Sequence, residues 1–384
     1  MGSAPPFATT ADFGNFEVSG LWADLFGQTL TINTAALPCV DESTGLPIAA
    51  PLMTKITAPS PVSVTVTPLT TVLVELGRDT HRLDADVALA LGLEPSAFAD
   101  GGSASFLLAS DLFVSLWTQD THRQSAASLA ALNAAMTTTA EVLAGAIAPR
   151  DASTGAVGGV ALRQAASAVF GAIAAEVQAR IDAAAGGALA LSGNETVRAV
   201  IVRAIDLLPS RGVPVSTGLA DDAAMLDAAA ASVAHASARV EAAALALGAV
   251  GAGADVRALL VTLGQLQAAS ATALANALAD VANGELSLAE ALASTALGAS
   301  NFDVAAAVTI VPQPRPEGDY APFAPPSAPP PRPPPSPPGS PAPPPPIETL
   351  LGVAHAAASP GANARARALA ADLAAVSYTH LRAH

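Results

Sequence analysis

His81, His122, His235 and His355 each stand alone among apolar stretches, and none has another histidine four residues away. That spacing is what one helix face needs to offer zinc two imidazoles. Asp41 with Glu42, and Asp79 with Asp84 and Asp86, are oxygen donors of the kind calcium takes. Calcium requires about six to eight oxygens, and no loop here carries the D-x-D-x-D-G spacing. Turn and cap acids are the reading that fits these carboxylates. The tetrapeptide Asp-Thr-His-Arg occurs twice, at Asp79–Arg82 and Asp120–Arg123, and reads as a structural echo. No G-x-S-x-G elbow, phosphate loop or dinucleotide fingerprint follows a strand. The expectation is therefore no catalytic residue, no cofactor and no metal, with a triad assembled from distant positions left open.

Two patterns point to covalent modification instead. Asn194-Glu195-Thr196 is a sequon for N-linked glycosylation, although Asn194 would equally cap the helix that carries Val197, Ile201 and Ile205. Ser336 and Ser340 sit inside Ser-Pro repeats and are candidate glycosylation sites. Pro331, Arg332, Pro333 and Pro334 form a P-x-x-P run with a flanking charge, the kind of ligand that SH3 or WW grooves hold. These six positions belong to one tract: from 312 to 346, 19 of 35 residues are proline. Such a stretch adopts polyproline II, about 3.1 Å per residue with a solvated backbone, and acts as a stiff spacer.

The elements that must carry these residues fall into two regimes. Over 13–68 the chain reads as β: Asn15–Trp22, Gln28–Asn33 and the alternation Val62, Val64, Val66 against Ser63, Thr65, Thr67, which predicts a half-buried strand. From 69 the period becomes helical. Leu129, Leu132, Met136, Leu143 and Ile147 share one face, as do Leu162, Ala166, Val169, Ile173, Val177 and Ile181. Leu226, Val233, Val240 and Leu247 recur every seven residues, with Ala229, Ala236 and Ala243 between them. That heptad predicts a closely packed seam, and the expected partner is the next helix, bearing Leu259, Leu263, Leu266, Leu274, Leu278 and Val281. Asp221 and Asp222 are expected acids at a helix N-terminus, Asp255 an N-cap, and Ser287 with Glu290 a capping box. Residues 302–312 return to strand character.

Of 384 residues, 51% are hydrophobic, 13% charged and 4% aromatic, so the chain has material for a sizeable core of small side chains. The net charge of −15 lacks the basic patches that nucleic acid or anionic lipid would need. Apolar runs are broken by Asp, Glu, Arg or Gly before reaching the about 20 residues of a membrane span, so no transmembrane segment is expected. Cys39 is the sole cysteine, which excludes an internal disulfide, and Lys55 is the sole lysine. The N-terminus has neither basic nor apolar signal-peptide regions.

Three motifs in order carry a resemblance. Gly14 and Phe16 match "TD-x-x-G-x-F", with Asp12 one place nearer the glycine than in the motif; Asp41, Thr44, Gly45, Leu46, Pro47, Ala50 and Pro51 match "D-x-x-TGLPL-x-AP"; Pro68, Leu69, Thr70 and Thr71 match "VTPLTTL". The series resembles a module of large, repetitive bacterial and algal cell-surface proteins, most closely over 9–93. The proline tract resembles the hydroxyproline-rich segments of green-algal wall glycoproteins. The resemblance implies an extracellular or envelope protein and brings no catalytic residues.

The expected fold is mainly α with a small N-terminal β part: a truncated β-sandwich-like domain, an Ala-rich antiparallel helical bundle and a polyproline II linker. The expected divisions are a remnant over 1–12, a partial β-domain over 13–68, helices over 69–311, the linker over 312–346, and a further helical unit beginning at 347–376. Residues 377–384 read as a non-native read-through tail, and the absent signal peptide as N-terminal truncation. The expected role is a non-enzymatic structural or adhesive module of a cell wall, matrix or envelope, located at the cell surface, with wall components or glycans as partners. The alternative is an intracellular scaffold that recruits SH3 or WW domains.

Overall fold

The computed structural model describes residues 15–18, 26–32, 50–57, 64–99, 102–109, 116, 121–149, 159–183, 187–214, 219, 222–249, 256–293 and 379–383. The chain is mainly α with a small β part. Strands β1 (Asn15–Val18), β2 (Thr29–Ile32), β3 (Leu52–Lys55) and β4 (Val64–Val66) come first. Helices α1 (Pro68–Glu75), α2 (Ala85–Ala90) and α3 (Pro95–Phe98) follow, then the long α4 (Arg123–Ile147) and α5 (Gly159–Asp182). After them come α6 (Asn194–Leu207), α7 (Ala223–Ala249), α8 (Val256–Ala269), α9 (Ala275–Ala282) and α10 (Leu288–Ala293), with a last strand β5 (Thr379–Ala383).

β2 and β3 pair antiparallel, with Thr29 opposite Lys55 and Ile32 opposite Leu52. β5 lies between β1 and β4, antiparallel to the first and parallel to the second. A ladder is made of main-chain groups, so this pairing speaks to the conformation of residues 379–383 and not to their origin.

The alternation at 64–66 has a different outcome from the half-buried strand expected. Thr65 is buried along with Val66, because β4 contacts β3, β5, α1 and the 3₁₀ turn at Ser105–Ala109. β3 has no Val/Ile alternation of its own, and its burial comes from what packs on it.

One core runs from Ala50, Leu52 and Val66 through the helices to Ala282. The helical stripes occupy it as their periods require. Leu129, Met136, Leu143 and Ile147 are buried on α4, Ala166, Val169, Ile173 and Val177 on α5, and Val197, Ile201 and Ile205 on α6. On α7 the heptad positions Leu226, Val233, Val240 and Leu247 are buried with Ala229 and Ala236. The following helix is one partner but not the principal one. α7 packs most extensively on α4, and secondarily on α6 and α8.

Small residues explain that choice. A Cβ placed on Gly248 of α7 would lie 2.8 Å from the Ala127 Cβ of α4, and one on Gly145 of α4 would lie 2.9 Å from the Ala275 Cβ of α9. Backbones approach this closely only where side chains are absent or reduced to a methyl group. α8 and α9 form one rod interrupted by a π-turn at Ser270–Leu274, where Ser270 Oγ donates to Leu266 O at 2.8 Å and Thr272 Oγ1 to Ala268 O at 2.7 Å.

The caps divide. Ser287 and Glu290 form the expected box, the Ser287 N–H donating to Glu290 Oε2 at 3.0 Å and the Glu290 N–H to Ser287 Oγ at 3.2 Å. Asp222 Oδ1 accepts from the Ala224 N–H at 2.8 Å, opening α7. Gly193, not Asn194, occupies the N-cap of α6. Asp255, the strand expected at 302–312, the proline tract and residues 347–376 lie outside the described residues.

Candidate functional site

The motif Thr67-Pro68-Leu69-Thr70-Thr71 is a clamp between β3 and α1. Thr67 has extended dihedrals (φ −137°, ψ 168°) and Pro68, which has no amide hydrogen, takes the first helical position where none is needed. The Thr70 N–H donates to Thr67 Oγ1 at 3.1 Å, and the Thr67 N–H donates back to Thr70 Oγ1 at 2.8 Å. Thr70 Oγ1 in turn donates to Met53 O at 2.7 Å, and the Met53 N–H donates to Thr71 Oγ1 at 2.8 Å. Asn133 of α4 completes the helix start, its Oδ1 accepting from the Leu69 N–H at 2.9 Å. Every hydroxyl of the motif is engaged, so the resemblance motif here holds elements together.

A second set holds β3 to the loop after α1. Thr80 Oγ1 donates to Lys55 O at 2.8 Å and accepts from buried Thr54 Oγ1 at 3.1 Å. Asp79 accepts from Thr57 Oγ1, and from the His81 N–H at 2.9 Å. Burial holds the His81 imidazole below its ordinary value, partly opposed by the Asp79 carboxylate and the Lys55 backbone. Arg78 lies 3.1 Å from Asp84 and 3.9 Å from Asp86, so these acids are ion-paired. The second Asp-Thr-His-Arg copy is differently placed, its Arg123 opening α4. Among the described residues no three His, Cys, Asp or Glu side chains converge as a metal site would require. Asp41, Glu42, Cys39 and His355 lie outside those residues.

The α5–α6 contact concentrates charge. Glu176, nearly buried, receives Arg180 one turn along α5 and Arg203 of α6, whose Nη2 lies 3.3 Å from Glu176 Oε2. Arg180 Nη2 donates to Thr196 Oγ1 at 2.9 Å, and Arg203 Nη1 to Ala175 O at 3.3 Å. A hollow of about 320 Å³ is lined by Glu176, Ala179, Arg180, Ala183, Gly187 and Ala188. On another side of α5, Arg211 Nη2 meets Glu75 Oε2 at 2.7 Å beside a hollow of about 220 Å³ that includes Gly171 and Gln178. Paired charges with fixed partners suit the orientation of helices.

Sequence reading missed this ionic cluster; the i, i+4 pair of Glu176 and Arg180 was its one local signal. α5 is also long and apolar enough by composition to cross a membrane, yet most of that stretch is buried within the fold. Of the expected modification sites, Asn194 lies exposed at the first position of α6. Ser336, Ser340, Pro331, Arg332, Pro333 and Pro334 lie outside the described residues. Comparison with protein-family models, curated proteins and solved structures found no match for the chain.

Proposed function

We propose that this chain is a non-enzymatic structural or adhesive module of a cell wall, extracellular matrix or envelope, exported to the cell surface. In this reading a β-sandwich-like part and an antiparallel Ala-rich bundle form the folded module, and the polyproline tract spaces it from the next. The observation that carries it is the tract itself, 19 prolines in 35 residues with Ser-Pro repeats at Ser336 and Ser340. A polyproline II rod of that length spans about 100 Å and keeps its backbone in water. The resemblance of the Thr67–Thr71 region to repetitive surface proteins agrees with it, since a clamp between strand and helix suits a module that bears load. The partners are other wall components or glycans.

The second reading, an intracellular scaffold, rests on Pro331, Arg332, Pro333 and Pro334 as a P-x-x-P ligand with a basic flank. Mass spectrometry of the protein from its source cells separates the two. Hydroxylated prolines and glycosylated Ser336 or Ser340 are expected; an unmodified tract recovered from cytosol selects the scaffold.

A further inference from the structure

We infer that Asn194 carries an N-linked glycan on the finished protein, added before α5 and α6 close, because the fold leaves its side chain free and then ties up Thr196. The inference rests on the exported reading above. Asn194-Glu195-Thr196 is the single sequon in the sequence.

The structure removes the competing role for the asparagine. A residue that caps a helix lends its side-chain oxygen to the first-turn amides and so withdraws it from other chemistry. Here Gly193 holds that place, with φ −100° and ψ 126°, and its carbonyl accepts from the Val197 N–H at 3.0 Å. Asn194 is therefore one residue inside the helix, exposed together with Glu195. Arg198 and Val202 follow it at four-residue intervals along the same outer stripe, and both are exposed. A bulky polar glycan at Asn194 finds room there, and Val202, one of the exposed large apolar residues, gains cover.

Thr196 behaves differently. Its Oγ1 accepts from Arg180 Nη2 at 2.9 Å, and Arg180 is itself held by Glu176. The hydroxyl that completes the sequon is thus committed to the α5–α6 contact once the chain has folded. Transfer belongs to the earlier, extended chain. Chemically, Asn194 Nδ2 attacks the anomeric carbon of an oligosaccharide activated as a glycosyl pyrophosphate. A C–N bond forms as the anomeric C–O bond breaks, the electron pair leaves on the pyrophosphate, and the amide nitrogen gives its proton to a base of the transferase.

The test is translation of the full chain behind a cleavable leader into eukaryotic microsomes, with the translocated product read by gel mobility and peptide mass spectrometry. One glycan is expected, removed by peptide-N-glycosidase with conversion of Asn194 to Asp, and absent from Asn194→Gln. A translocated chain whose Asn194 is unmodified overturns the inference, whereas the exported reading stands or falls separately on the proline tract. In a parallel arm, solubilised transferase and its glycosyl pyrophosphate donor act on the purified chain, folded or freshly diluted from urea. The folded chain is expected to be modified at least about tenfold less, and equal modification of both overturns the order of events.

Discussion

Thr139 Oγ1 and Ser237 Oγ face each other at 3.1 Å across the contact of α4 with α7, 98 positions apart in sequence. Both are fully buried. Each hydroxyl satisfies the other away from water.

The pair should therefore be non-additive. Thr139→Val strands the Ser237 hydroxyl in the core and is expected to cost about 1–3 kcal/mol, and Ser237→Ala likewise strands Thr139. The double variant removes both polar groups and should recover most of that loss. Urea unfolding of the four proteins checks it; additive losses would show that each hydroxyl is satisfied elsewhere.

Ala236 neighbours that pair on the heptad face and is 1% exposed. Three added carbons in Ala236→Leu have no space between α7 and its neighbours, so overpacking of about 1–3 kcal/mol is expected. The measurement is the shift in denaturation midpoint against a leucine at an exposed position of the same helix, such as Ala242→Leu. Equal midpoints would mean that α7 does not pack through this face.

The heptad made α7's seam legible, but not its occupant. An alanine-lined face accepts any helix of similarly small residues, and Ala127 and Gly145 that mark α4 as such a helix look unremarkable in so alanine-rich a chain. The periods on α4, α5 and α6 were readable because each buries one stripe only. Thr65 and β3 were not, since their burial is imposed by elements distant in sequence. The Asn194 cap went the other way for a local reason: glycine and asparagine both open helices, and Gly193 stands one place earlier. The Thr67–Thr71 motif was recognisable as a pattern, while its hydrogen bonds to Met53 depend on a strand that the pattern does not contain.

His81 gives the fold an acid-sensitive point. Burial lowers its folded value below the ordinary 6.5, so the unfolded chain binds more protons once pH drops to that region. Stability is complete above about 6.5 and falls as pH descends through the ordinary value toward the folded one. His81→Gln, which cannot titrate, is expected to flatten the dependence of unfolding midpoint between about pH 7 and about pH 5. Parallel profiles for the two proteins would show that His81 is as well solvated in the fold as out of it.

The folded part is expected to stand without the proline tract and everything after it. Leu52 and Val66 reach the common core beside the helices, and β3 is tied to α1 by Thr70 and Thr71 and to the following loop by Thr80. None of those bonds involves β5, whose ladder partners are β1 and β4. Among the described residues, the main contact between the chain before residue 312 and the chain after it is the β1–β5–β4 ladder. A chain of residues 1–311 should keep a helical circular dichroism spectrum and a single cooperative transition. One of residues 1–376 loses the strand that joins β1 to β4, so those two strands are expected to fray while the helical transition, set by the core beneath them, stays within about 1 kcal/mol of the full chain. A mostly disordered spectrum for the shorter chain would mean that the C-terminal residues complete the fold, and that the proline tract is a loop within one domain instead of a spacer between two.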